Sequence, residues 1–196
     1  MMGKTINKFS SPRIKKQQGM SFIEVLIALV ILVTGILGAV AMQITAKQGS
    51  FDAMQRSLAS SLVQDIIARM RAQTPSIDPG LTLSEYVKND YAKGDGVYKG
   101  DASVVNMIDN DRYEWELALM GGNVTTNDGT SVGGLVGGRG CITLSMDEDG
   151  NTIENAYTVV VSWQAKSKTT DSAVINCGVS GAKRRQVVVQ TFIYNI

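Results

Sequence analysis

One ionisable side chain lies inside an otherwise apolar run, and its chemistry is that of a buried charge. Residues 19–42 read GMSFIEVLIALVILVTGILGAVAM, and Glu24 is the one charged residue among them. An ionised carboxylate in lipid costs several kcal/mol, so it is retained only where it has a partner or a task. Glu24 is therefore a candidate functional residue.

The run is long enough to cross a bilayer, and the charges before it give its orientation. About twenty apolar residues at 1.5 Å per residue span a hydrocarbon core about 30 Å thick. Five basic residues and no acids precede the run, which places this end on the cytoplasmic side by the positive-inside rule. A secretory signal peptide is cut after its apolar run, whereas the processing point indicated here precedes it. The alternative is an ordinary single-span anchor whose Glu24 reaches toward water at the interface.

Composition limits the classes of function. The chain has 196 residues, enough for one domain and an anchor, with 20 glycines, 3 prolines and no histidine. The lack of histidine excludes Ser-His-Asp or Cys-His catalysis and histidine metal sites. Beyond the five leading basic residues, 14 basic and 18 acidic residues remain, which argues against nucleic acid as the main partner because phosphate binding needs a basic face. With no clustered catalytic acids and no cofactor motif, we expect neither an enzyme nor a bound cofactor or metal.

The two cysteines, Cys141 and Cys177, lie in the part of the chain that this orientation places outside the cytoplasm. In an oxidising compartment such a pair most simply forms a disulfide. Closing that loop would stabilise the fold by up to roughly 3 to 4 kcal/mol. A redox or metal-binding pair is the alternative, but CxxC spacing and further ligands are missing.

A single long helix is predicted to position Glu24. No proline lies between Met20 and Ala72, and the Thr74-Pro75 pair is expected to end the helix. We therefore expect one helix of about 50 residues, with residues 20–45 in lipid and residues 46–74 amphipathic. The apolar stripe of the second half recurs in steps of three or four residues: Phe51, Met54, Leu58, Leu62, Ile66 and Met70.

Residues 75–196 are predicted to form a globular antiparallel β domain. Thr82 and Glu85 fit a capping box, so a short second helix running through Tyr91 is expected. Alternating apolar and polar residues then predict four strands that pack on the amphipathic half of the long helix, an α+β fold. The four predicted strands are residues 113–120, 141–146, 157–164 and 186–194, with Tyr157, Val159, Val161 and Trp163 on one face.

Three other segments contain residues that could bind phosphate, calcium, or DNA or lipid. The Gly-rich residues 121–140 are not followed by the Lys-Ser or Lys-Thr of a phosphate loop, so a surface loop and contact surface is the favoured interpretation. Residues 147–151 offer oxygen ligands, but their spacing does not fit a calcium loop and favours a turn. The run Lys183, Arg184, Arg185 is typical of a solvated strand end and is thin support for contact with DNA or lipid.

The junction KKQQG/MSFIEV resembles the class III signal of the type IV pilin superfamily: a basic leader, a glycine, a cut, then an apolar segment with Glu as its fifth residue. In this chain Gly19 stands before the cut, Met20 is the new and N-methylated amino terminus, and Glu24 is the fifth residue. The family more often has Phe where Met20 stands. The segments LASSLVQDIIARMRAQ, YTVVVSWQ and RRQVVVQTFI extend the resemblance and favour the PilV type of minor pilin.

The resemblance implies a pilin-like fold and a role in assembly. It implies that residues 1–19 are a leader removed by prepilin peptidase, and that Glu24 pairs with the new amino terminus of a neighbouring subunit. The implied partners are other minor pilins, the major pilin and the inner membrane, and the implied final location is the pilus. A minor pseudopilin of type II secretion and a pilus-borne adhesin remain alternatives.

Overall fold

A computed structural model describes residues 19–73, 82–93, 107–122, 124, 126–129, 132–169 and 176–194. Residues 1–18 of the predicted leader and the predicted helix end at Thr74-Pro75 lie outside these residues. The chain divides into two compact units, one ending at Ile44 and one beginning at Thr45; the second is called the globular unit below. The elements in chain order are α1 (Phe22–Ala72), a 3-10 helix (Leu83–Tyr86), β1 (Lys88–Tyr91), α2 (Met107–Met120), β2 (Arg139–Met146), β3 (Thr152–Gln164) and β4 (Arg184–Phe192).

The described strands form one antiparallel sheet in the order β1-β2-β3-β4. On β3 the residue Tyr157 lies opposite Leu144 of β2 and Thr191 of β4. The predicted apolar face of β3 is confirmed, because Tyr157, Val159, Val161 and Trp163 all belong to the main core. That core also contains the second half of α1, which confirms the α+β, pilin-like class of a long N-terminal helix packed on an antiparallel sheet.

The buried stripe of α1 differs slightly from the predicted one. Leu62, Ile66 and Met70 are buried as predicted, but Met54 is exposed and Gln55 takes the buried place beside it. Near its start the buried stripe is therefore shifted by one residue around the helix. The side chain of Gln55 accepts a hydrogen bond there from the loop before β2. The remaining buried residues of α1 are Ala59, Val63 and Ile67.

The prediction of a strand over residues 113–120 is wrong: they form the second half of α2. The buried apolar side chains of α2 are Ile108, Trp115 and Leu119, spaced by seven and four residues as on one helix face. The alternation of Tyr113 to Leu119 also fits a strand, but Glu, Leu, Ala and Met are strong helix formers and decide the local preference.

The fourth strand is instead β1, whose residues were predicted to continue a short helix. The 3-10 helix ends at Tyr86, and Val87 takes an extended conformation that starts the strand. Tyr91 at the end of β1 is buried and lies edge-on to Trp115, with ring centroids 5.0 Å apart. The predicted capping contact is present, since the Thr82 amide donates to Glu85 Oε1 at 3.4 Å.

Gly140 on β2 allows the sheet to approach α2 closely. A Cβ atom at this position would lie 2.5 Å from the Trp115 ring and 2.9 Å from Leu119. Both neighbours are fully buried, so they have little room to move. We expect Gly140→Ala to lower the free energy of unfolding by about 1 to 3 kcal/mol through overpacking, measured by urea denaturation.

The matched control for this prediction is Gly49→Ala, because Gly49 lies on α1 and a Cβ there meets nothing within 4 Å. Alanine should be neutral or stabilise the helix by up to about 1 kcal/mol. Equal unfolding free energies for the Gly140 variant and the wild type would show that Trp115 does not hold the position that the structure gives it.

Candidate functional site

The start of α1 fixes the position of Glu24. The Ser21 carbonyl accepts hydrogen bonds from the amides of Glu24 at 3.0 Å and Val25 at 3.2 Å, so Ser21 is the N-cap and Glu24 the third helical residue. An acid in the first turn is favoured by the helix dipole. The Ser21-x-x-Glu24 spacing is also a capping-box signature visible in the sequence, although it is not among the features predicted above.

The Glu24 carboxylate is exposed, and among the described residues it has no ion-pair or hydrogen-bond partner. Gly19 and Met20 precede the helix and are also exposed, with 73% of Met20 accessible. Nothing in the described part of the chain therefore compensates the Glu24 charge.

The apolar residues that follow have no cover within the described chain. Within the described residues α1 is the one helix long and apolar enough to cross a membrane, and none of its most apolar window is buried. Exposed apolar surface on this scale requires lipid or other helices. The large side chains concerned are Phe22, Ile23, Val25, Leu26, Ile27, Leu29, Val30, Ile31, Leu32, Val33, Ile36, Leu37, Val40, Met42 and Ile44.

Polar and small residues within the run fit that environment. The Thr34 hydroxyl donates to the carbonyls of Val30 at 2.9 Å and Ile31 at 3.0 Å, so it is satisfied inside its own helix. A Cβ on Gly35 or Gly38 would meet nothing within 4 Å. Nothing within the described subunit requires glycine there, so both interpretations stay open: close approach of another helix, and the general tolerance of membrane helices for glycine.

In the globular unit Cys141 and Cys177 are joined by a disulfide, with Cα atoms 6.0 Å apart. Both are buried with Val160 on the sheet face opposite the main core. The Gln186 side-chain amide donates to the Cys177 carbonyl at 3.1 Å and attaches the same segment to β4. The disulfide therefore holds residues 176–179 against the outer face of the sheet.

A buried polar network joins α1 to α2 and was not predicted. The Asp111 carboxylate accepts hydrogen bonds from Arg69 at 3.0 Å, Gln73 at 3.0 Å and the Tyr86 hydroxyl at 2.7 Å. Arg69 also pairs with Glu114 at 2.6 Å. Burial and the bond to Asp111 raise the pKa of Tyr86, and the Arg69 guanidinium lowers the pKa of Glu114.

A second carboxylate anchors α1 near the start of the globular unit. Asp52 accepts hydrogen bonds from the Lys166 amide at 2.9 Å and the Ser167 hydroxyl at 2.5 Å. Its pKa is lowered, chiefly by the Ser167 hydroxyl and also by the Lys166 and Ser167 amides and by Arg185, against the raising effect of burial. Asp52 therefore fixes the chain after β3 to the first turns of the globular part of α1.

The lowered pKa of Asp52 predicts a pH-dependent contribution to stability. The ionised carboxylate stabilises the folded state above the unfolded pKa, and this contribution is lost as the pH falls through the lower folded pKa. We expect Asp52→Asn to cost about 1 kcal/mol at neutral pH, with the difference from the wild type shrinking once the pH falls below 3.8. Urea denaturation from neutral to acidic pH measures it, and a pH-independent difference would contradict the predicted titration.

Two loops make hydrogen bonds within the globular unit. The described residues of the Gly-rich segment fold onto the domain: the Val136 amide donates to Gln55 Oε1 at 2.9 Å and the Leu135 amide to the Leu119 carbonyl at 3.1 Å. At residues 147–151 the predicted turn is confirmed, with Asp147 Oδ1 accepting from the Asn151 amide at 2.8 Å. Among the described residues no group of three or more Cys, Asp or Glu could hold a metal ion.

Comparison with family models gives one match: residues 14–40 fit the prokaryotic N-terminal methylation motif. The matched segment contains Gly19, Met20 and Glu24 together with most of the exposed apolar run. Neither the curated proteins nor the solved structures gave a match to this chain. The motif supports a type IV pilin-like or pseudopilin protein that is made as a membrane-anchored prepilin, is processed by prepilin peptidase and assembles with other pilins.

Proposed function

We propose that this chain is a minor pilin of the PilV type, a non-enzymatic structural subunit that supports assembly of a type IV pilus. One observation carries the proposal: the methylation motif leads directly into a helix whose apolar surface is exposed and whose Glu24 has no partner among the described residues. An assembly of identical helix starts would supply both the apolar cover and the missing cation. The resemblance in ARMRAQ and VSWQ supports the PilV type.

The proposed order of events follows the chain. Residues 1–19 are removed after Gly19 by prepilin peptidase in the inner membrane, and the amino group of Met20 is methylated. Residues 20–45 then leave the bilayer for the filament core, where Glu24 pairs with the amino terminus of a neighbouring major or minor pilin. Residues 46–74 connect this segment to the globular domain, residues 75–196. That domain includes α2 and stays outside the filament core. Motility, adhesion and DNA uptake are the pilus-dependent behaviours that such a subunit would support.

Intact mass of the protein extracted from membranes tests the first step. Cells with prepilin peptidase should yield a chain lacking residues 1–19 and carrying one methyl group, and cells without the enzyme should yield the full chain. Gly19→Val serves as the control, because a bulky residue before the cut should leave the chain uncleaved in both strains. An uncleaved wild-type chain in peptidase-positive cells would overturn the proposal and leave an ordinary membrane-anchored domain.

A minor pseudopilin of a type II secretion system is the second candidate, since the matched motif fits both classes equally. The two differ in where the processed subunit is found. A minor pilin should appear in sheared surface pili, and its deletion should reduce their number. A pseudopilin should be missing from sheared pili, and its deletion should stop secretion of folded proteins while pili remain.

A further inference from the structure

β4 lies at one edge of the sheet, and every second residue of this strand directs its backbone groups away from the sheet. The Ile193 amide donates to the Asn155 carbonyl at 2.9 Å, and the Ala165 amide donates to the Lys183 carbonyl at 2.9 Å. Both pairs continue the register of the ladder between β3 and β4, so the odd-numbered residues of β4 direct their N–H and C=O groups toward β3. The even-numbered residues direct theirs outward.

Three successive outward residues, Val188, Gln190 and Phe192, have no hydrogen-bond partner among the described residues and are called the open edge below. Each offers one N–H donor and one C=O acceptor. Their side chains are exposed as well, with 39% of Val188 and 55% of Phe192 accessible. Unpaired backbone groups along an edge strand form a template on which a further strand can pair.

The opposite edge of the sheet is protected against such pairing. β1 has four residues, of which Lys88 and Asp90 are charged, and its register with β2 is irregular. Short length, charge and bulges are the features by which natural sheets prevent edge pairing. β4 has nine residues in unbroken register with β3, and residues 186–192 include neither a charged residue nor a proline. The described sheet is therefore suited to extension at the open edge and not at β1.

The strand order indicates which partner fits the open edge. All neighbouring strands are antiparallel, so β1 and β4 run in opposite directions. A filament repeats head to tail, so equivalent strands of its subunits share one direction along the filament axis. In a neighbour of the same fold, the antiparallel partner for β4 is therefore the first-strand edge and not the neighbour's β4. In a second copy of this chain that edge is the protected β1, which leaves a different subunit as the partner.

We propose that the open edge binds the edge strand of a different pilin-type subunit, which joins the sheet as a fifth, antiparallel strand. This inference rests on the proposed function, since it requires assembly with other pilins. The incoming strand supplies backbone partners for Val188, Gln190 and Phe192, and it carries uncharged side chains where it lies beside the exposed Val188 and Phe192. Because β1 is protected, pairing at the open edge does not propagate through further copies of this chain.

Crosslinking from the open edge tests the identity of the partner. The photoreactive residue p-benzoylphenylalanine is placed at Gln190 of the full chain in piliated cells, and crosslinked peptides are identified by mass spectrometry. We expect crosslinks to an edge strand of the major pilin or of another minor pilin. The same probe at Asn89, an exposed residue of β1, is the matched control and should give no such crosslink. A Gln190 probe that reaches only a second copy of this chain, only proteins outside the pilin class, or nothing would overturn the proposal.

Substitutions at Gln190 test pairing through the backbone. Gln190→Pro removes an outward N–H and keeps the ladder to β3, because proline is tolerated where the N–H of an edge strand faces solvent. We expect incorporation into sheared pili to fall about tenfold, as for the loss of one hydrogen bond. Gln190→Thr keeps the N–H and should be incorporated like the wild type. If the proline lowers the urea midpoint, Gln190→Lys takes its place, since a charge blocks edge pairing without altering the backbone.

The wild type distinguishes this inference from the proposed function. Equal incorporation of the wild type and the edge-blocking variant into sheared pili would overturn the open edge as a pairing site and leave the minor pilin role intact. Absence of the wild type from sheared pili would overturn the minor pilin role on which the inference rests.

Discussion

Asp111→Ala is expected to lower the free energy of unfolding by about 2 to 3 kcal/mol, a large effect for a single substitution in the globular unit. Asp111 is only 8% exposed and accepts hydrogen bonds from three side chains in different parts of the chain, those of Arg69, Gln73 and Tyr86. Its removal leaves the Arg69 charge short of a partner and the Tyr86 hydroxyl without an acceptor. Against a total stability of about 5 to 15 kcal/mol for a domain, such a loss is a large fraction of the stability of the unit.

The signal for this measurement is the fluorescence of the two buried tryptophans, Trp163 and, at the contact of α2 with α1, Trp115. Its indole N–H donates to the Leu62 carbonyl at 2.8 Å, so its fluorescence reports whether α2 remains on α1. Urea denaturation followed by this fluorescence should show the midpoint of Asp111→Ala shifted strongly to lower urea. The wild type and the variant both keep the disulfide, so the shift reports the polar network and not the covalent link.

Asp65→Ala is the matched control for the Asp111 prediction. Asp65 contacts the same Arg69 at 3.1 Å, but 42% of its side chain is exposed, and an exposed i,i+4 pair contributes under about 1 kcal/mol. Asp111→Asn should fall between the two, since it keeps the shape and an acceptor but loses the charge. Equal midpoints for Asp111→Ala and Asp65→Ala would contradict the central place of Asp111 in the network.

Features that depend on a single continuous segment of the sequence could be predicted. The apolar run with Glu24 is a one-dimensional signal, and so is the two-residue period of β3, whose Val159, Val161 and Trp163 are buried as expected. The stripe of α1 was predicted from Leu62 onward for the same reason. In each case the residues that the local pattern places on one face are also the residues that the fold buries. The sequence pattern alone is therefore enough for the prediction.

The features that could not be predicted depend on pairs distant in the chain. Asp111 lies 42 residues from Arg69, and Asp52 lies 115 residues from Ser167. Nothing local marks such carboxylates as anchors, because their hydrogen bonds exist only after the fold has formed. The error over residues 113–120 has a related cause: Trp115 and Leu119 fit a strand face and a helix face equally well over eight residues. Helix propensity decides the local structure, and Gly140 on β2 then admits α2, because its missing side chain leaves room for the Trp115 ring.

Glu24→Ala is expected to reduce incorporation of the processed subunit into sheared pili by more than about a hundredfold. An assembled helix start would place the Glu24 carboxylate and the amino group of Met20 in an apolar core, and removing one partner of a buried ion pair costs about 3 to 5 kcal/mol. The cost arises on assembly, since in the described subunit the carboxylate is exposed and without a partner. Removal of residues 1–19 should therefore be unaffected, and the variant should accumulate as cleaved protein in the membrane.

Ser21→Ala separates the two roles that the start of α1 offers to Glu24. If the acid served only to cap its own helix, removing its capping partner should reduce incorporation as much as Glu24→Ala does. If it pairs with a neighbour's amino terminus, Ser21→Ala should cost only about 1 kcal/mol of local helix stability and leave most of the incorporation in place. Glu24→Asp keeps the charge on a shorter side chain and should fall between these limits. Normal incorporation of Glu24→Ala would mean that the Met20 ammonium is neutralised elsewhere and would remove Glu24 from the assembly mechanism.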